Sequence, residues 1–173
     1  AVILEKHGTI NWGQNLKDAY LATIDLISRA EEAIAHRARG RTRFGGPRVS
    51  PLAPAERRQT ALALAPFLRG LVSRDRRAIL QFDDTPELLE FVGSNEAGSL
   101  SQVGPAPPDH TIFTQRLPCF VPVERPADIE QLKAALQASV EHFVQDYTRY
   151  FEAHRFEGAN LLDPFPRVIL IPG

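Results

Sequence analysis

Short aliphatic runs stand near both ends of the chain, and two long stretches between them repeat apolar residues every three or four positions. Repeats of that spacing mark one face of a helix, whereas brief β-branched runs mark strands. Residues 1–6 read as a buried strand, followed through His7-Gly8 by a second short strand over 9–12. Gly13 turns the chain, and Asn15 with Asp18 three positions on makes a capping-box pattern. The helix it opens places Leu16, Ala19, Tyr20, Thr23, Ile24, Ile27 and Ala30 on one face and runs to about Arg37.

Residues 37–58, RARGRTRFGGPRVSPLAPAERR, are rich in glycine, proline and arginine and predict a loop or mobile linker. A helix from about Pro54 to Leu71 follows, with Pro54 suited to its first turn. Residues 76–82 read as a strand, and Thr85 caps a short helix beginning at Pro86. Residues 94–109 form a loop, and 110–115 and 119–123 read as short strands. Pro126 opens the longest helix, where Ile129, Leu132, Leu136, Val140, Phe143, Tyr147 and Tyr150 recur at helical steps until about His154. A closing strand spans 167–171. The succession predicts an α/β fold, three-layer or α+β, with helices packed on a mixed sheet.

Composition narrows the function classes. The 20 basic and 21 acidic side chains leave a net charge of −1, so neither nucleic acid nor a membrane is the expected partner. The lone Cys119 excludes an intramolecular disulfide and points to a reducing, cytoplasmic setting. No apolar stretch is long enough to span a bilayer, and the first residues lack the form of a signal peptide. Methionine is absent throughout, and both ends lie on apolar runs. We therefore expect a piece of a longer protein, with a processed mature chain as the alternative. There is no glycine-rich nucleotide fingerprint, P-loop or nucleophile elbow.

His7, between a strand and Gly8, admits two readings. One is a rim histidine whose ring is hydrogen-bonded. The other is a metal ligand at a rigid strand end, with Gly8 leaving room for the site. A catalytic zinc needs three protein ligands, and the chain has no HxH or HExxH. Lys6 and Arg116 could each meet a phosphate or stand as solvated charges. Trp12 and Tyr20 read as core, and Cys119 as a buried, inert thiol.

Residues 2–34, VILEKHGTINWGQNLKDAYLATIDLISRAEEAI, resemble the closing segment of the class II aldolase/adducin family. That pattern is a strand, His-Gly, a second strand followed by glycine, and a helix carrying Ala-Tyr. Three later stretches, RRAILQFDDTPELLEFVGS, VGPAPPDHTIFTQRLPCFVPV and PRVILIPG, resemble the middle of bifunctional rhamnulose-1-phosphate aldolase/short-chain dehydrogenases.

The resemblance implies a division into residues 1–37, the end of an aldolase-like domain, 38–58, a mobile loop, and 59–173, a connecting α/β segment. It implies zinc as cofactor of the whole protein, with His7 as the third zinc ligand and the other ligands and the proton-moving glutamate upstream. It implies NAD(P) bound in a domain downstream. The substrate would be a sugar phosphate, a ketose 1-phosphate cleaved by zinc acting as Lewis acid, and the assembly a homo-oligomer. Asp109 and His110 are candidates for the substrate pocket, against the alternative of local turn hydrogen bonds at a strand start. The opposing expectation is a non-catalytic scaffold or oligomerisation module, as in adducins.

Overall fold

The computed structural model describes residues 1–74, 77–123, 128–161 and 163–173, and of Pro108 and Asp109 the backbone alone. A hairpin of β1 (Val2–Leu4) and β2 (Gly8–Ile10) leads into α1 (Leu16–Ala38). Then come α2 (Pro54–Val72), α3 (Pro86–Val92), α4 (Ala97–Leu100), α5 (Pro108–Thr114), β3 (Cys119–Phe120), α6 (Ile129–His154) and β4 (Ile169–Leu170). The fold is mixed α/β, as expected, rich in helix and with two small two-stranded sheets among the described residues.

The core forms around the second sheet. β3 and β4 run parallel, with Cys119 opposite Ile169 and Phe120 opposite Leu170. Parallel neighbours need a long crossover, and α6 supplies it. Main-chain bonds extend the pairing beyond the strands, Cys119 N–H to the Val168 carbonyl and Val121 N–H to that of Leu170, both 2.9 Å. Leu64 of α2 and Leu132 and Leu136 of α6 close over Val121 and Val123, with Ile169 and Ile171 at the margin. The predicted stripe of α6 is thus the buried one, from Leu132 through Val140. Asp128 caps this helix by accepting from the N–H groups of Glu130 and Gln131. The expected opening at Pro126 lies outside the described residues.

Four expectations need correction. Residues 77–82 form no strand. Side chains take the bonds a neighbouring strand would have made: Ser73 Oγ accepts from the Ala78 N–H, and Arg69 Nε donates to the Ala78 carbonyl. Residues 110–115, expected as strand, belong mostly to α5. Pro108 in the first turn presets a helical φ, and the Thr114 hydroxyl bonds back to the His110 carbonyl at 2.8 Å, so local chemistry outweighs β propensity. Residues 97–100, expected as loop, form α4.

The fourth correction concerns the N-terminal unit. Both strands of the hairpin are exposed throughout, and no residue of α1 is buried. Leu16, Tyr20, Ile24 and Ile27 make an apolar face that no described element covers. Trp12 and Tyr20, expected in the core, are likewise exposed. The local signals nevertheless hold: the Asn15 side chain accepts from the Asp18 N–H at 3.0 Å and donates to the Asp18 carboxylate at 2.9 Å.

Inside the stretch expected to be mobile, residues 43–49 are bonded to the α3–α4 junction. Phe44 meets Phe91 edge to face at 5.2 Å. The Arg48 and Val49 N–H groups share the Gly93 carbonyl, and Asn95 Nδ2 donates to the Gly45 carbonyl at 2.8 Å. Among the described residues no helix is long and apolar enough to cross a membrane.

A candidate cation-lined cleft at the His7 turn

Leu4 pairs with Gly8, which leaves Glu5, Lys6 and His7 as the hairpin loop. The His7 N–H closes the turn onto the Leu4 carbonyl at 3.1 Å. Two positive φ values bend the chain this tightly, +60° at Lys6 and +129° at Gly8. Lysine tolerates the first at some cost, and glycine alone accepts the second freely. A Cβ built on Gly8 would have no atom within 4 Å. Glycine is the residue that accepts this backbone conformation without strain.

The turn forms one side of an open cleft of about 600 Å³. The loop of residues 103–106 and the residues Thr111, Arg116 and Leu117 form the other. Gly104, at φ +94°, brings that loop against the backbone of Arg116. Arg116 is half-buried, and its guanidinium carbon lies 4.5 Å from the centre of the Tyr150 ring on α6. A cation–π contact of this kind leaves the guanidinium N–H groups available to donate.

The residue before it is unusual. Gln115 stands at φ +64° and ψ −179°, a region essentially reserved for glycine. Two side-chain bonds hold it there: Nε2 donates to the Asp163 carbonyl at 3.0 Å, and Oε1 accepts from the Arg167 N–H at 3.2 Å. It is 8% exposed. This anchored kink ends α5 and sets the direction in which Arg116 leaves the helix. Neither Gln115 nor the platform role of Tyr150 had a signal in the sequence; Tyr150 appeared there only as part of an apolar stripe.

The structure therefore brings together His7, Lys6 and Arg116, and it does not bring His110 to them. His110 is exposed on α5, its N–H bonded to the Pro107 carbonyl, and it is not part of the cleft lining. The side chain of Asp109 lies outside the described residues. Among the described residues no group of three or more His, Cys, Asp or Glu could hold a metal ion. His7 offers one ligand where a catalytic zinc requires three, so the described residues do not fit a complete zinc site. Cys119 is 3% exposed, and desolvation pushes its thiol up to about 11, which agrees with the expected inert thiol.

Comparison with known proteins adds the family. Residues 59–173 match the model for the second domain of class II aldolases. The chain is also similar to the uncharacterized oxidoreductase YuxG of Bacillus subtilis (strain 168), 38% identical over 173 residues. That match covers 99% of this chain but 25% of the relative, so the chain spans about a quarter of that protein's length. No solved structure matches. With two thirds of its length matched by one family model, the chain belongs to the class II aldolase family, whose second domain it carries over residues 59–173.

Proposed function

We propose that this chain is part of a fused enzyme that combines a zinc-dependent class II aldolase with an NAD-dependent short-chain dehydrogenase. The observation that carries this reading is His7 in a cleft beside two cationic side chains, in a chain of the class II aldolase family. In this reading His7 is one zinc ligand, and residues outside this chain complete the site. The substrate is a ketose 1-phosphate of the rhamnulose type, cleaved between two carbons to give a triose phosphate and an aldehyde. The dehydrogenase part then oxidises or reduces that aldehyde. The similarity to a protein named as an oxidoreductase supports the second activity. Residues 1–37 would close the metal-binding part of the aldolase, and its second domain at 59–173 would connect that part to the dehydrogenase.

The test is metal content and retro-aldol activity of the full-length protein, wild type beside His7→Ala. Stoichiometric zinc and cleavage of rhamnulose 1-phosphate, both lost in the variant, are expected. Zinc retained in the variant would remove His7 from the site. Absence of cleavage with zinc bound would redirect the search to other phosphorylated ketoses.

A second reading is favoured by the exposed apolar face of α1. As a non-catalytic assembly module, the chain would use Leu16, Tyr20, Ile24 and Ile27 to join copies into a homo-oligomer. Light scattering separates this reading from the first: Ile24→Lys would dissociate such an oligomer and leave metal content unchanged.

A further inference from the structure

We propose that the cleft at the His7 turn is a phosphate-monoester site, with Lys6 and Arg116 as its cationic grips. The anion site rests on geometry; its identification with the phosphate of the ketose substrate rests on the reading above. Arg116 is half-buried and meets no carboxylate among the described residues. A half-buried guanidinium without a counter-ion gains from an anion that completes it. Its guanidinium carbon stands 4.5 Å from the Tyr150 ring centre, a contact that leaves the N–H fork available for the paired oxygens of a phosphate.

Lys6 comes from a different element and faces the same cleft. It too has no carboxylate partner among the described residues, and it stands at φ +60° in a turn position that favours glycine. Gln115, at φ +64° and ψ −179°, sets the exit of Arg116 from α5. Two strained positions thus deliver two unpaired cations to one cleft from opposite sides. Glu5 lines it as well, and the two cations outnumber it. A cleft of about 600 Å³ is in the volume range of small-molecule sites.

The experiment is calorimetric titration of the protein with inorganic phosphate at low ionic strength, for wild type, Arg116→Gln and Lys6→Gly. Glycine accepts φ +60° without strain, so Lys6→Gly keeps the turn while removing the charge. Saturable binding to wild type, weakened about tenfold or more in each variant, is expected for charge-assisted bonds. Equal affinity in all three proteins, or no saturable binding to wild type, overturns the site. So does competition by chloride as strong as by sulfate, which marks a diffuse charge effect.

The two readings fail separately. Ketose cleavage that is indifferent to both variants sinks this site and leaves the aldolase. Phosphate binding that needs both cations, in a protein that cleaves no ketose 1-phosphate, keeps the site and sinks the aldolase reading.

Discussion

The Arg57 guanidinium grips one oxygen of Asp84 twice, Nε at 3.1 Å and Nη2 at 2.9 Å, while its other nitrogen donates to the Leu52 carbonyl. The arginine side chain is 12% exposed and the aspartate 37%. This pair ties α2 both to the strand-like residues 77–84, which pair with no strand among the described residues, and to the loop before it. Arg57→Ala would leave Asp84 and the Leu52 carbonyl without their donors. We expect a loss of about 1–3 kcal/mol, read as a lower urea midpoint with an unchanged slope. A loss within error would show that the pair is a screened surface contact.

Leu136 is fully buried between α2 and the parallel sheet. Leu136→Ala removes its contacts and leaves a cavity that close-packed neighbours fill only partly. The expected cost is about 2–5 kcal/mol, measured by denaturant unfolding. Ile27→Ala on α1 should cost far less, because Ile27 is 50% exposed. Equal losses would mean that α1 is packed against something in solution.

How much of this was legible in advance depends on where each signal is decided. The caps and stripes of α1 and α6 are local: Asn15 and Asp18 meet as their spacing implies, and Leu132, Leu136 and Val140 face the core. Strands are decided by partners, and here sequence reading failed. Residues 77–82 have strand composition and no strand to pair with among the described residues, and side chains from α2 and its end bond to Ala78 instead. The apolar run at 2–4 does form a strand, yet it is exposed, because periodicity reports an apolar face and not what covers it. For the candidate site, His7, Lys6 and Arg116 were visible as single residues. Their meeting was not, since it depends on the hairpin loop, the 103–106 loop and the kink at Gln115 all reaching one cleft.

Gly13 makes a prediction about that exposed unit. A Cβ built there would lie 2.5 Å from the Asp18 Cβ and 2.6 Å from the Ala19 nitrogen. Gly13→Ala must therefore push the chain away from the first turn of α1 and pull Asn15 off the Asp18 N–H. Loss of an N-cap costs about 1 kcal/mol. Because α1 buries no residue, the effect should be local. Amide exchange should quicken at Asp18, Ala19 and Tyr20 while the global unfolding midpoint moves little. Unchanged exchange at these amides would show that the turn opens without the cap.

Gly8→Ala tests the hairpin that presents His7. Space is open around the position, so the cost comes from backbone conformation alone, at φ +129°. About 1 kcal/mol or more is expected, seen as loss of the β1–β2 amide protection. His7→Ala, by contrast, should leave the hairpin intact, since the bond that closes the turn uses the His7 main chain. Loss of the hairpin in His7→Ala would give the ring a structural role that the geometry does not.

Cys119 ties stability to pH in the alkaline range. Desolvation lifts its folded thiol to about 11, against 9.0 for an exposed one. Between those values the unfolded chain has released the proton and the folded chain still holds it. This contribution is fully present below about pH 9 and is lost as pH rises through about 11. Cys119→Ala removes the titration but also creates a small cavity, so the variant should be less stable at pH 8. The gap between wild type and variant should then narrow steadily from pH 9 to 11. Urea midpoints at intervals of half a pH unit would show it. Parallel curves across the whole range would mean that the thiol reaches water in the folded protein, and rapid reaction with a disulfide reagent at pH 8 would confirm that outcome.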